Sequence, residues 1–360
     1  MSYSKDLPYN DLPLIPPDKS LWETMDVYKK LAEARAALAE LKGRLPVIPN
    51  PLMLINTLVL QEAKDSSTIE NIFTTNDELY KAFSSSASVS NPSTKEVLRY
   101  REALWNAFTG LNSPSDFTVN TAINIFQTLT EKKESVRDLQ VYIGSTNSVV
   151  YTPPEPGSIL TEKLDNWFSV AIDQYEIDPL IKMAMLHYQF EAIHPFTDGN
   201  GRTGRIMNVL YLCKEELIDL PVIYLSKYIL EKKNDYYRLL REVTEKKEWT
   251  NWILYMLDAV KQTAVITLDK VNTIYESYLS VIDKVKAEAP DIYTHELIEV
   301  IFNQPYCKIA ILEEKKIASR NTASKYLRRL EQLGILQSEQ VGRETLYKNN
   351  ILIGILSNNS

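Results

Sequence analysis

The sequence predicts a mainly α-helical protein with one small β-hairpin in its middle and a helix-and-hairpin module at its C-terminal end. Three observations carry this. Glycine is scarce, 10 of 360 residues, and long stretches repeat apolar residues with the period of an α-helix. Residues 136–152 break that rhythm: Leu139-Gln-Val-Tyr-Ile-Gly and Val149-Val-Tyr-Thr flank a Gly-Ser-Thr-Asn-Ser turn, the pattern of a hairpin. Beyond Pro290, two short helical patterns, a longer amphipathic one and a terminal hairpin follow in order.

Composition narrows the class. Apolar residues at 44% and charged residues at 24% are enough for a packed core and exclude disorder, while 360 residues suit two domains with an added helical collar. No run of 18 apolar residues occurs, so no membrane span or membrane partner is expected. Residues 1–10 are polar and lack an apolar signal region, which predicts a cytoplasmic protein. Cys213 and Cys307 lie far apart, which excludes a disulfide framework and a zinc motif. Charge is uneven. Nine Lys/Arg face five Asp/Glu between Lys308 and Lys348, a local +4, so the rest of the −7 chain carries −11. An acidic body with a mildly basic tail points to two kinds of partner.

Each element has a local reason. Pro8, Pro13, Pro16 and Pro17 make an extended N-terminal arm. Met25, Tyr28, Leu31, Ala34, Leu38 and Leu41 predict a helix over 21–42 that Gly43 ends. After the Pro46/Pro49/Pro51 connection, Asn50-Pro51 caps and starts an apolar helix through Leu60. That helix is expected to break at Asp65-Ser66-Ser67, where a second short helix starts. The small polar stretch 84–93 predicts a loop. Helices are expected over 95–108 and 118–132, then, after the hairpin and Pro153-Pro154, over 161–173, 179–193, 202–216, 235–246 and on to about Lys286. In the tail, helices over 292–302 and 309–314 precede one with Ala323, Tyr326, Leu327, Leu330 and Leu333 on one face, stopped by Gly334. With a hairpin about Val341-Gly342-Arg343, this outlines a winged helix-turn-helix. The expected organisation is an N-terminal arm with helices over 1–93, a core over 94–288 with its hairpin at 137–152, and a winged-helix domain over 290–360.

The densest chemistry is Glu191-Ala-Ile-His194-Pro195-Phe196-Thr197-Asp198-Gly199-Asn200-Gly201-Arg202-Thr203-Gly204-Arg205. Pro195 ends one helix, and a Gly-rich turn feeds the N-terminus of the next. Such a turn aims several backbone N–H groups at one point, where the helix dipole favours an anion. Arg202 and Arg205, three apart, reach over the same mouth, and guanidinium groups suit phosphate oxygens. Asp198 suits magnesium, which takes few protein carboxylates and completes its shell with phosphate and water. His194 at the rim is able to accept a proton near neutral pH. The segment therefore reads as a polyphosphate site with a base beside it.

His194 to Arg205 resembles the HPFx[D/E]GNGRxxR signature of Fic-domain proteins at all nine fixed positions. The resemblance implies an all-α Fic core that transfers AMP from ATP, the co-substrate, to a Ser, Thr or Tyr hydroxyl of a target protein, with release of pyrophosphate. It implies His194 as general base, Phe196 as the anchor of the loop and Asp198 as the magnesium ligand. Gly199, Asn200 and Gly201 are implied as the anion hole, Arg202 and Arg205 as phosphate grips, with Thr203, Gly204 and Tyr237 also at the nucleotide. The hairpin resembles the Fic flap, whose edge pairs with the target backbone; Val141, Tyr142, Ile143, Val149, Val150 and Tyr151 are the docking residues on this reading. Phosphate-transferring relatives carry a lysine where this chain has Gly201, which favours AMP transfer.

Ser66-Ser-Thr-Ile-Glu70-Asn71 resembles the family's inhibitory motif, [S/T]xxxE[G/N]. It implies that Glu70 pairs with Arg205 and holds ATP unproductively, with Ser66 and Asn71 completing the inhibitory helix. His187 is expected to be a hydrogen-bonded structural residue, and Cys213 a core residue. For the tail, DNA or a protein partner fits Arg320, Asn321, Thr322, Lys325, Arg328, Arg329, Arg343 and Lys348. A nucleotide-sensing transcription regulator is the alternative to an enzyme. Self-modification and a homodimer are left open.

Overall fold

The computed structural model describes residues 3–85, 91–111, 113, 116–145, 148–173 and 176–357. In chain order the elements are α1 (Met25–Arg44), α2 (Leu52–Ile69), α3 (Asn76–Ser84), α4 (Pro92–Gly110), α5 (Val119–Thr130), β1 (Ile143–Ser145) and β2 (Ser148–Tyr151). Then follow α6 (Ser158–Ile172), α7 (Pro179–Ile193), α8 (Asn200–Lys214), α9 (Leu225–Glu231), α10 (Lys233–Lys246) and α11 (Trp249–Glu288). The tail comprises α12 (His295–Phe302), β3 (Tyr306–Cys307), α13 (Ile309–Glu314), α14 (Arg320–Gln332), β4 (Leu336–Val341), β5 (Glu344–Asn349) and α15 (Asn350–Ser357). The protein is mainly helical, as its sequence predicts.

The 40-residue α11, about 60 Å long at the α-helical rise, is the spine. It runs parallel to α1 in a fixed register. Lys30 meets Asp258 at 3.0 Å, Glu33 meets Lys261 at 3.0 Å and Arg44 meets Asn272 at 2.6 Å, three pairs with one constant offset in sequence. Near its start, α11 packs on α7, the central helix, which is buried on almost every side. Such a helix is mostly apolar rather than amphipathic, and its buried polar residues Lys182, His187 and Gln189 are hydrogen-bonded. Two indoles lock it: Trp167 Nε1 donates to Leu186 O and Trp252 Nε1 to Ala184 O, both at 2.7 Å. Farther along, α11 packs against α15, with Lys270 Nζ donating to Leu356 O at 3.4 Å, and against α12, so one helix carries both the core and the tail.

Several boundaries differ from the sequence reading. Gly43 does not end α1; the helix passes through it to Arg44, and the 3-10 turn at Leu45–Val47 containing Pro46 ends it. No break occurs at Asp65-Ser66-Ser67: α2 is one helix to Ile69, with Ser66 and Ser67 buried inside it rather than capping a new start. Asn50 does cap α2, its Oδ1 accepting from Leu52 N at 3.0 Å. Of the loop expected over 84–93, Ser84 closes α3 and Pro92 and Ser93 open α4, while residues 86–90 lie outside the described residues. Thr146 and Asn147 of the expected hairpin turn, and Met1 and Ser2 of the arm, also lie outside them. The helices α9 and α15 and the strand β3 were not expected.

In the tail, β3, β5 and β4 form an antiparallel sheet in that order, with Leu336 opposite Asn349 and Val341 opposite Glu344. Ala323, Leu327 and Leu330 bury the inner face of α14, as their spacing predicts. Arg320, Asn321, Lys325, Arg328 and Arg343 are exposed. Arg329 instead donates to Glu288 O at 3.0 Å, and Lys348 lies 4.0 Å from Asp77. The sheet leans on α3, where Asp77 accepts from Tyr306 OH and Lys81 binds Glu339, both at 2.5 Å. His295 has partners that its sequence context did not suggest, the Tyr278 hydroxyl at 3.1 Å and Glu299 at 3.2 Å. Among the described residues no helix is long and apolar enough to cross a membrane.

Candidate active site

The segment singled out in the sequence folds as a tight bridge between α7 and α8. His194 caps α7 with φ +50° and ψ +63°, a left-handed conformation for a residue with a side chain, directly before Pro195. Phe196 is buried and stacks on Phe126 of α5, ring centroids 4.5 Å apart and planes nearly parallel. The Asn200 side chain closes the loop from within, its Oδ1 accepting from Phe196 N at 2.8 Å and its Nδ2 donating to Phe196 O at 2.9 Å. Gly199 precedes α8 with φ +65°, a turn that glycine makes without strain. Gly201 leaves room for the Glu70–Arg205 pair: a β-carbon there would collide with Glu70 Oε1 and press on Arg205 Nη1 at 3.0 Å, so these side-chain ends would have to shift.

A cavity of about 490 Å³ opens beside this bridge and collects His194, Gly201, Arg205, Glu70 and Tyr237. The flap residues Ile143, Val150 and Tyr151 line it too. Both motif arginines are held by carboxylates. Arg205, almost fully buried, donates from Nη2 to Glu70 Oε1 at 2.8 Å and to Ser66 O at 3.0 Å, and from Nε to Ser66 Oγ at 2.8 Å. Burial pushes the Glu70 carboxyl up, but the charge and hydrogen bond of Arg205 outweigh it and hold the group below the usual range. Arg202 pairs with Glu96 of α4 and stands 4.0 Å from Asp198.

The proton inventory is specific. His194 Nδ1 faces Glu191 O at 3.3 Å. A carbonyl oxygen only accepts, so Nδ1 carries the hydrogen of a neutral ring and Nε2 keeps a lone pair. Burial, chiefly, lowers the His194 pKa to about 4, so the ring is neutral at cell pH. Glu191 also lines the cavity; burial lifts its carboxyl to about 7, and Oε1 has no hydrogen-bond partner among the described residues. His187 is structural, as expected: it is buried, bonded to Tyr236 OH at 2.9 Å and stacked on Trp252.

Not every expected residue reaches the cavity. Thr203 is fully buried in α8, with its N–H donated to Gly199 O at 2.9 Å. Gly204 faces α7, where a β-carbon would meet Glu191 Oε1 at 2.8 Å and Phe190. Asn71 follows α2 with φ +63° and is exposed. The flap is shorter than expected: Val141 and Tyr142 precede β1, and Ile143 pairs with Tyr151 across an irregular register. Asp198 is exposed at the loop, its Oδ1 accepting from Gly199 N at 2.6 Å. One hard oxygen donor of this kind fits magnesium only when phosphate and water complete the shell. Among the described residues no three metal-ligating side chains cluster.

Arg137 escaped the sequence reading. It is buried, and it ties the bridge between α7 and α8 to both ends of the hairpin. Its Nε donates to His194 O at 2.9 Å, Nη1 to Leu139 O at 3.1 Å, and Nη2 to Pro154 O at 2.5 Å and Ile193 O at 3.4 Å. Its backbone N–H donates to Pro195 O at 2.9 Å. These bonds, with Gln140 Nε2 to Pro153 O at 2.9 Å, occupy carbonyls that a longer hairpin ladder would use. Pro153 and Pro154, which have no N–H to donate, also bar a longer ladder there.

Comparison with known proteins agrees with this architecture. Residues 28–109 match the Fic/DOC family N-terminal model, residues 116–212 the Fic/DOC family model, and residues 279–352 the C-terminal domain model of SoFic-like protein adenylyltransferases. The protein adenylyltransferase Fic of Culex quinquefasciatus is 36% identical over 109 residues, 29% of this chain and 20% of that protein. Protein adenylyltransferase fic-1 of Caenorhabditis elegans is 33% identical over 97 residues, 26% of this chain and 18% of that protein. The matches thus span about a fifth of the length of these curated relatives. A Fic family protein from Desulfovibrio desulfuricans shares the fold at TM-score 0.56 and 19% identity, covering 91% of this chain and 97% of that one. Caenorhabditis elegans Fic-1 (aa134 - 508) does so at TM-score 0.52 and 18% identity, covering 69% and 73%. Helices before the motif, the motif core and the tail match in the order of one architecture, and the chain belongs to the Fic/DOC family.

Proposed function

We propose that the chain is a protein adenylyltransferase held at rest by Glu70. One observation carries the reading: His194, Gly201 and Arg205 share a single cavity, and the group occupying Arg205 there is a carboxylate. A carboxylate on a buried guanidinium stands where an anionic phosphate oxygen would bind. Curated relatives named protein adenylyltransferases support the activity for this chain.

In the proposed reaction, the triphosphate of ATP lies over the N-terminus of α8. The N–H groups of the Gly199–Gly201 turn and the helix dipole face its oxygens. Arg205, once released by Glu70, takes the terminal phosphate; Arg202, once released by Glu96, takes the adjoining oxygens. Asp198 would hold magnesium, which neutralises phosphate charge when bound. The flap holds the target segment along the β1 edge, with Tyr237 beside the nucleoside. His194 Nε2 takes the proton of a Ser, Thr or Tyr hydroxyl. The hydroxyl oxygen bonds to the α-phosphorus, the α–β bridging bond breaks, and pyrophosphate leaves. Positioning and charge neutralisation carry most of such a rate.

Intact-mass spectrometry of the Glu70→Gly variant, incubated with ATP and magnesium alone and with cell lysate, tests this. Addition of one AMP to the variant or to another protein is expected. Its absence in both samples, with a folded variant, overturns the reading.

A further inference from the structure

The N-terminal arm reaches the same cavity. It is pinned along its length: Gln189 Nε2 donates to Pro13 O at 2.9 Å, Glu155 N to Asn10 Oδ1 at 2.9 Å, Tyr9 N to Thr152 O at 3.1 Å and Thr152 Oγ1 to Lys5 O at 2.6 Å. Leu12 and Ile15 are buried beneath it. Tyr3, the first described residue of the arm, lies on the cavity wall; its ring stacks on Tyr151 of the flap at 6.1 Å and meets Tyr9 edge-on at 5.2 Å.

The cavity has a direction, and α10 measures it. Tyr237 stands where the phosphate end passes into the nucleoside part, still within the electrostatic reach of Glu70 and Arg205. Leu240, Arg241 and Thr244 line the wall farther along, up to about 10 Å beyond at the helical rise. Tyr3 lies at that far end, where Arg241 and Glu245 act on its hydroxyl. One end therefore offers backbone N–H groups and a guanidinium, and the other a pair of stacked phenol rings. A nucleotide is built with the same polarity, anionic at one end and flat and heteroaromatic at the other.

We propose that Tyr3 is a nucleotide-binding residue: the N-terminal arm forms the wall against which the base seats, beside the Tyr3–Tyr151 pair. This rests on the nucleotide reading above. It adds a contact from outside the motif-bearing core, and it makes the docked arm a condition for holding a nucleoside triphosphate rather than bare polyphosphate.

Calorimetric titration of the full chain with ATP and with inorganic tripolyphosphate, both with magnesium, separates the two claims. The parent is Glu70→Gly, compared with Glu70→Gly carrying Tyr3→Ala or Tyr3→Phe. Stacking of this kind predicts that Tyr3→Ala weakens ATP binding about tenfold, leaves tripolyphosphate unchanged, and that Tyr3→Phe keeps ATP affinity. Equal ATP affinity in parent and Tyr3→Ala, or an equal loss of both ligands, overturns the role of Tyr3 while the phosphate site stands. A parent that binds neither ligand overturns the nucleotide reading, and this inference with it.

Discussion

Glu70 Oε1 and Arg205 Nη2 meet at 2.8 Å across the end of α2 and the first turns of α8. Ser66, one turn earlier on α2, gives the same guanidinium a hydroxyl and a carbonyl acceptor. The helix thus presents a three-acceptor cradle that fixes Arg205 in place. Removing Glu70 frees the charge; removing the Ser66 hydroxyl only loosens the cradle. Ser66→Ala is therefore expected to raise AMP transfer above wild type but less than Glu70→Gly, as read by the rate of label incorporation from ATP.

Arg137 serves four carbonyl oxygens with one side chain, and burial pulls its pKa down to about 10. Arg137→Ala leaves buried acceptors unpaired, each costing about 1–3 kcal/mol. It also unties His194 from the flap. In the Glu70→Gly background, a fall in kcat of about 100-fold is expected, because small misplacements of reacting groups cost that much. Arg137→Lys, which cannot reach all four carbonyls, is expected to recover little. Steady-state kinetics on both variants check this.

A low His194 pKa has a signature in the pH profile. With the ring neutral above about 4, kcat/KM of the Glu70→Gly enzyme is expected to keep its His-dependent activity down to about pH 5. An unperturbed histidine, with a pKa of about 6.5, would already be mostly protonated there. An acid limb centred near 6.5 would contradict the buried, neutral ring.

Glu62 lies behind the Ser66 cradle on the same face of α2. It is buried and accepts from Tyr100 OH at 3.0 Å and from Ser226 Oγ at 2.5 Å and N at 3.1 Å. Burial nonetheless lifts its pKa to about 7. The folded state then holds a proton that the unfolded state releases at ordinary carboxyl pH. Stability from this group is fully present below that range and is lost as pH rises through 7, by about 3 kcal/mol. Glu62→Gln removes the titration. Thermal melts at pH 5 and pH 8 are expected to show wild type losing stability relative to the variant at the higher pH.

The bridge from His194 to Arg205 was legible because its chemistry is consecutive in sequence, and local turn rules place it between two helices. The Glu70–Arg205 pair was legible only through its motif, since 135 residues separate the partners. The continuity of α2 was not legible. Asp65, Ser66 and Ser67 are weak helix formers, but burial against α8 and the bond to Arg205 override local propensity. Gly43 misled for the same reason: α1 is held by its parallel register with α11, which carries the helix past a poor residue. Arg137, Glu96 and Tyr3 left no periodic or motif signal, because their roles arise from where the chain returns in space.

The central claim is that this cavity presents the α-phosphorus of ATP to a hydroxyl beside His194, with Glu70 as the block. The direct measurement is a parallel incubation with ATP labelled at the α- or the γ-phosphate. Wild type, Glu70→Gly and Glu70→Gly/His194→Ala are compared in the presence of magnesium and lysate protein. Protein-bound α-label is expected to be strongest with Glu70→Gly and absent without His194, with all γ-label released as pyrophosphate. Protein-bound γ-label, or equal α-labelling by wild type and Glu70→Gly, would contradict it.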